Sequence, residues 1–343
     1  MAGRDERATW KAVPLKKFID GNGPPPPSIL LRNDNVPLLY PQKIHSIWGE
    51  PESGKGWLAH LAAQELIETR RHVLYVDFED DPHTAVERQL AMGTNPKLLL
   101  KYLHYVQPFE SVAEGWDDLA DILTEYDCEL AILDGLTEAF GLEGLDTNSN
   151  EDVAKWFRRL PRNLVKFGMA VLQIDHVTKA KEGRGRYALG AQHKLAGIHV
   201  ALSLDVIEPF GRGQTGRVKV KVEKDRPGWL RREAEQGHMG DLVLKENDGI
   251  ASVELRAPVA PPATVRPEKL MKKISEYVEG NPGLSQKAVR AAVKGKTELV
   301  GLALELLEAE GYVEIRAEGN AHKHYAVEPY GAQESVSRKA GKR

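Results

Sequence analysis

Gly49-Glu-Pro-Glu-Ser-Gly-Lys55-Gly56 has the spacing of a loop built to hold phosphate. Its glycines let successive backbone N–H groups turn toward anionic oxygens, and Lys55 adds a compact cation for the terminal phosphates. The loop lies between an apolar run read as a strand, 43–48, and an apolar-periodic run read as a helix, 56–70. The helix N-terminus contributes partial positive charge at the same point. Gly49, Glu50, Pro51, Glu52, Ser53, Gly54, Lys55, Gly56 and Trp57 are therefore read as the nucleotide-binding set, with ATP and Mg²⁺ as the cofactors. One position departs from the G-x-x-x-x-G-K-[ST] pattern. Gly56 stands where a Ser or Thr hydroxyl would ligate Mg²⁺, and Trp57 cannot replace it. Glycine keeps the backbone cradle but removes an oxygen that a water must then supply, so turnover and metal affinity are affected more than nucleotide binding.

Carboxylates close other strands. Leu130-Ala-Ile-Leu-Asp134 is an apolar strand ending in an aspartate suited to holding the hydration shell of Mg²⁺. His72-Val-Leu-Tyr-Val-Asp-Phe78 runs into Glu79-Asp80-Asp81. Glu79 is read as the group that orients or deprotonates an attacking water. Asp80 and Asp81 read as caps of a helix starting at Pro82, with Asp81 assigned to capping. Ala170-Val-Leu-Gln-Ile-Asp-His176 ends a further strand with Gln173, Asp175 and His176, of which His176 is read as a contact to the γ-phosphate.

These groups need a scaffold that brings several strand ends to one edge, as a parallel sheet does. Strands are expected at 43–48, 72–78, 102–106, 130–133 and 170–174, and helices at 56–70, 82–92, 116–126 and 150–167. The alternation is that of an α/β fold with a mostly parallel sheet. From about residue 196 strands dominate, at 197–206, 217–223, 241–245 and 252–255, read as hairpins extending the sheet. Residues 1–40, with four prolines in a row from Pro24, read as an irregular N-terminal arm, and 41–256 as the core domain. The stretch 257–266 is Pro-rich and reads as a stiff linker. Beyond it, helices at 267–278, 285–293 and 297–310 and strands at 312–315 and 324–327 follow the order of a winged helix, occupying 267–330, with a basic disordered tail at 331–343.

Composition narrows the class. The chain has 343 residues, 28% of them charged, and a net charge of −3, which by itself argues against a polybasic nucleic-acid binder. The single cysteine, Cys128, excludes a disulfide framework and a Cys-rich zinc site, and with no apolar run of membrane-spanning length it points to a cytoplasmic protein. The charge is uneven: from residue 264 onward 14 Lys/Arg face 11 Asp/Glu, so the C-terminal piece is mildly basic and the larger piece acidic.

Taken together, the motifs resemble the RecA-like hexameric P-loop ATPases, and within them the RepA-like helicase group of plasmids and phages. The resemblance covers about Leu38 to Leu230, with Gly49–Gly56, Glu79-Asp80, Asp134 and Asp175-His176 in the family's order. It implies a RecA-like core, rings with each nucleotide between two subunits, and NTP-driven movement on single-stranded DNA. Lys224 and Arg226 resemble the Lys-x-Arg element that replicative helicases insert into the neighbouring subunit's site. The loop carrying Lys179, Lys181, Arg184 and Arg186 corresponds to one that lines the central channel, where such charge tracks phosphates without reading sequence. Lys294 and Lys296, before the third C-terminal helix, fit major-groove docking by a winged helix. The expectation is a ring-forming replicative-type DNA helicase, with replication or recombination proteins as partners. The alternatives are a recombination or branch-migration ATPase, a helicase loader, or an ATP-switched DNA-binding regulator.

Overall fold

The computed structural model describes residues 12–13, 15–19, 24–176, 192–211, 213–247, 249–258, 267–295, 297–318 and 321–330. The chain divides into two compact units, Met1–Val259 and Ala260–Arg343.

The larger unit begins with a short helix, α1 (Lys16–Ile19), and a hairpin of β1 (Ile29–Leu31) and β2 (Pro37–Leu39). Then come β3 (Ile44–Gly49), α2 (Lys55–Glu68), β4 (His72–Asp77), α3 (Pro82–Ala91), α4 (Pro96–Tyr102), β5 (Leu103–Val106) and α5 (Trp116–Glu125). They are followed by β6 (Cys128–Asp134), α6 (Leu136–Leu142), α7 (Asn150–Arg159), α8 (Pro161–Lys166), β7 (Ala170–His176) and α9 (Gln192–Gly197). The unit ends with β8 (Val200–Glu208), β9 (Thr215–Asp225), α10 (Leu230–Glu233), β10 (His238–Asn247) and β11 (Ile250–Arg256).

Nine strands form one sheet in the order β11-β10-β9-β8-β3-β7-β6-β4-β5. From β8 to β5 the pairings are parallel, and β9, β10 and β11 extend the sheet by antiparallel hairpins. The central strands are apolar on both faces because both are covered. One face, with Ile47, Tyr75, Ile132 and Leu172, packs on Leu58, Ala62 and Leu66 of α2. The other, with Trp48, Leu74, Leu133 and Val171, packs on Phe140 of α6 and Val153, Trp156 and Phe157 of α7. This is the α/β architecture expected of a RecA-like P-loop core.

Three local expectations are corrected. The second half of the supposed N-terminal arm is ordered: Ile29, Leu30, Leu38, Leu39 and Tyr40 are fully buried against the α2 face of the sheet. The Tyr40 hydroxyl also donates to Asp225 Oδ1 at 2.9 Å. The single helix expected over 150–167 breaks at Leu160, where Pro161 has no N–H to continue α7 and opens α8 instead. Helix α4, capped by Asn95 with Pro96 at its first position, was hidden in an apolar run, and α6 follows directly on β6.

The smaller unit holds α11 (Glu268–Gly280), β12 (Leu284–Ser285), α12 (Gln286–Ala292), α13 (Thr297–Ala309), β13 (Val313–Glu318) and β14 (Ala321–Ala326). Its strands form a sheet in the order β12-β14-β13, and Met271, Ile274, Val289, Leu304 and Leu307 make a separate core. Ser285 caps α12 by accepting from the N–H of Ala288.

Candidate active site

The loop Gly49–Gly54 joins β3 to α2 at the end of the sheet where the parallel strands finish. Gly54 sits at φ +82, a left-handed conformation that glycine adopts without strain. A Cβ there would also fall 2.4 Å from the ring of Phe210, so the position is closed to side chains twice over. The same ring would lie 1.9 Å from a Cβ on Gly216, at the start of β9. Lys55 is buried, and its ammonium donates to the carbonyl oxygens of Gly49 (3.1 Å) and Glu50 (2.8 Å). Burial lowers its pKa, and the carboxylates of Glu79, Asp134 and Asp175 oppose that shift. Ser53 Oγ is buried and has no hydrogen-bond partner among the described residues. A buried hydroxyl with nothing to bond is expected where a ligand supplies the partner.

Two strand ends bring the carboxylates. Asp77 and Asp134 are opposite one another in the β4–β6 register. Each is tied to a tyrosine: Tyr105 donates to Asp77 Oδ2 at 3.0 Å and Tyr75 to Asp134 Oδ2 at 2.6 Å. Asp77 Oδ1 accepts the backbone N–H groups of Glu79 (3.0 Å) and Asp80 (2.8 Å), which sets the turn that presents Glu79 to the pocket. Asp81 caps α3 through the N–H groups of His83 and Thr84, as expected. Desolvation pushes Asp134 up to about 6; the Tyr75 hydrogen bond opposes this, Asp77 and Glu79 add to it, and Arg88 opposes it.

The charged form of Asp134 is thus disfavoured by the fold. Its contribution to stability is full below the ordinary 3.8 and is lost as pH rises through about 6. At pH 7 the Asp134→Asn variant is expected to melt a few degrees higher than the parent without ligand, and to lose the parent's drop in stability across that window. Melting curves from pH 4.5 to 8 test this; a variant that melts lower overturns the assignment.

The loop and the carboxylates line a cavity of about 970 Å³, which also takes in Trp57, Thr84, Arg88, Phe210, Leu244 and Glu246. Its size suits a nucleotide. Among the described residues, no three His, Cys, Asp or Glu side chains converge as they would on a bare cation. Asp134, which lines this cavity, is the carboxylate that would hold, through water, a metal arriving with a nucleotide's phosphates. Position 56, a glycine, offers no side-chain oxygen.

The remaining candidate residues are distributed differently. The backbone of His176 pairs in register with Gly49, at the loop's root. Gln173 does not reach the pocket: its Oε1 accepts from Trp156 Nε1 at 2.8 Å on the opposite face of the sheet. Asp175 forms a buried ion pair with Lys194 at 3.0 Å. Lys224 and Arg226 lie at the other edge of the sheet, because β9 runs antiparallel to β8 and pairs Lys224 with Ala201, while Leu204 is level with Gly49. Lys224 Nζ donates to the carbonyls of Leu195 (2.5 Å) and Ile198 (2.8 Å), and Arg226 Nη2 to that of Ala196 (3.2 Å). Lys294 is exposed. Lys179, Lys181, Arg184, Arg186, Lys296, most of the linker and the basic tail lie outside the described residues.

Sequence reasoning missed Asp77, Tyr75, Tyr105, Arg88 and Phe210. An aspartate two residues before Glu79 is a turn signal, and Thr84 and Arg88, four apart on α3, share a helical face. Phe210 had no local signal.

A phosphate loop entering a helix beside the central strand, with acidic strand ends across from it on a mostly parallel sheet, defines a P-loop ATPase of the RecA type. The chain belongs to the AAA domain family (AAA_25), whose pattern matches residues 9–182. No curated protein matches it. Among solved structures it is similar to a KaiC-like protein from the hyperthermophilic archaeon Pyrococcus horikoshii OT3, with 12% sequence identity, 67% of this chain and 98% of that one covered, and a TM-score of 0.49. Among the described residues, no helix is long and apolar enough to cross a membrane.

Proposed function

We propose that this ATPase is a DNA motor: a ring-forming, replicative-type helicase that moves on single-stranded DNA. Lys55 leaves its loop carbonyls for the β- and γ-phosphates, and the loop's N–H groups and Ser53 hold the phosphate oxygens. Glu79 takes the proton from the water that attacks the γ-phosphorus, while the bond from that phosphorus to the β–γ bridging oxygen breaks and ADP leaves. Asp134 would hold Mg²⁺ through water when the ion is bound with the nucleotide, and the chemistry it would supply is charge neutralisation on the phosphates. His176, at the root of the loop, is assigned to sensing the γ-phosphate.

The observation that supports a ring is the separation of Lys224 and Arg226 from this chain's own phosphate loop. Ala201, level with Lys224, and Leu204, level with Gly49, stand roughly 10 Å apart along β8, and Arg226 lies further still. Cations at that edge act on a phosphoryl group only if it belongs to another copy, which is how a cation supplied in trans works in other NTPases. The C-terminal unit, with three helices and a small sheet, serves as a winged helix that brings DNA or a replication or recombination protein to the ring. Lys179, Lys181, Arg184 and Arg186 would track the strand in the channel, and Lys294 and Lys296 would meet the duplex.

The test is strand separation on a 5′-tailed fork with ATP, run on the parent, Lys55→Ala and Arg226→Ala. The parent should unwind the fork and both variants should fail, with Arg226→Ala still binding nucleotide. ATP hydrolysis by the parent without strand separation overturns the helicase reading in favour of a recombinase or loader. Normal hydrolysis by Arg226→Ala removes the cation in trans.

A further inference from the structure

Two tyrosines stand behind the acids in the same relation, one strand apart. Tyr105 on β5 is level with Tyr75 on β4, and its hydroxyl donates to Asp77 Oδ2, two residues further along β4, at 3.0 Å. Tyr75 is level with Ile132 on β6, and its hydroxyl donates to Asp134 Oδ2, two residues beyond Ile132, at 2.6 Å. Two residues of strand span roughly 7 Å, which puts such a diagonal within reach of a long aromatic side chain. The two rings are stacked, with centroids 5.9 Å apart and planes 19° from parallel. His60 of α2 stacks on Tyr75 in the same way, at 5.1 Å and 20°. Its ring is fixed in turn: Gln89 Nε2 lies 3.1 Å from His60 Nδ1, and Gln89 Oε1 accepts from the Thr94 hydroxyl at 2.6 Å. Tyr75, His60, Gln89 and Thr94 are all buried, and burial lowers the His60 pKa to about 3, so a neutral ring backs the tyrosine.

Neither tyrosine lines the cavity, and nor does Asp77, whereas Asp134 and Glu79 do. The hydroxyls therefore reach a bound nucleotide only through the acids they hold. An aspartate has a broad, two-fold χ2 torsion, so what it presents is set by what bonds it. The Tyr75 bond is the only hydrogen bond of the Asp134 side chain among the described residues; it takes Oδ2 and leaves Oδ1 for the cavity. Asp77 has both oxygens engaged, Oδ2 by Tyr105 and Oδ1 by the N–H groups of Glu79 and Asp80. Tyr105 thus acts on the Glu79 turn through Asp77.

We propose that Tyr75 and Tyr105 are positioning residues that divide the work of the site. Tyr75 turns the open oxygen of Asp134 toward the phosphates and the metal that comes with them, and Tyr105 holds the Asp77 turn that aims Glu79 at the attacking water. This rests on the assignment of the cavity to ATP. Each phenol bonds only its own acid, so the loss of one hydroxyl disturbs one function and leaves the other.

Tyr75→Phe and Tyr105→Phe keep the stacked rings and remove one hydroxyl each. Two quantities are read on both: the gain in affinity for a fluorescent, non-hydrolysable ATP analogue on going from EDTA to Mg²⁺, and the single-turnover rate of ATP hydrolysis. Tyr75→Phe should bind as the parent does in EDTA and lose about 10-fold of the Mg²⁺-dependent gain, as when a group behind a metal ligand is removed. Tyr105→Phe should keep both affinities and hydrolyse ATP about 10-fold slower or more, because the base is misplaced. Added to Glu79→Gln, Tyr105→Phe should slow hydrolysis no further, whereas a general loosening of the fold would add its own loss. Melting curves on the same samples should stay within a few degrees of the parent's. Loss of the Mg²⁺-dependent gain in Tyr105→Phe, or its retention in Tyr75→Phe, overturns the division of work. If both variants match the parent throughout while Lys55→Ala fails to bind, the cavity keeps its assignment and the positioning role is wrong. If Lys55→Ala binds as the parent does, the assignment of the cavity falls first. A tyrosine variant that no longer folds shows its hydroxyl to be structural, which also overturns the proposal.

Discussion

The Glu79→Gln variant should bind ATP as tightly as the parent and hydrolyse it slower by a factor of about 10² to 10⁴, the usual cost of losing a positioned general base. Glutamine keeps the size of the side chain, and the backbone N–H of Glu79 stays with Asp77 Oδ1 at 3.0 Å, so the turn is undisturbed. What is removed is the ability to take a proton, together with one negative charge whose loss beside anionic phosphates does not weaken binding. Position 79 is also crowded from behind: a Cβ on Gly135 would fall 2.9 Å from Glu79 Cβ. A near-isosteric amide on the same turn should stay where the acid was. Single-turnover hydrolysis with binding measured in parallel checks this. Loss of binding and hydrolysis together would show that Glu79 holds the nucleotide rather than the water.

Lys55→Ala should lose nucleotide binding and all detectable turnover. The ammonium is buried beside two loop carbonyls, and its positive charge is supported by Glu79, Asp134 and Asp175. Removing it leaves those carboxylates facing the phosphates with one cation fewer, which opposes an anionic ligand. Alanine is well tolerated in a first helical turn, so α2 should still form and the melting temperature should change little. Equilibrium binding and a melting curve on the same sample separate the two effects. A variant that still binds ATP would place the nucleotide elsewhere.

The phosphate loop was readable in the sequence because its chemistry is local. Eight consecutive residues supply the turn, the N–H groups and the cation, and the flanking strand and helix announce themselves by periodicity. The strand-end carboxylates were readable for a similar reason, since an apolar strand that stops at Asp134 or Glu79 must deliver the acid to the sheet edge. What escaped was whatever depends on a distant partner. Gln173 has the position of a pocket residue, but Trp156, 17 positions earlier, takes its side chain. Arg88 and Phe210 reach the loop from a helix and a hairpin remote in sequence, so no spacing rule connects them to Gly56 or Gly54. The buried β1–β2 hairpin was hidden by the proline run before it, which reads as irregular however well the next twenty residues pack.

Phe210 makes one demand on how chains of this kind can vary. A single ring lies against both Gly54 and Gly216, so three positions scattered over more than 160 residues behave as one unit of inheritance. Gly54 is also held to glycine by its left-handed backbone, which leaves Gly216 as the position free to record the constraint. Relatives that keep an aromatic ring at 210 should keep glycine at 216. Those that carry a larger residue at 216 should have exchanged the ring for a small side chain, and would wall the nucleotide pocket with something else.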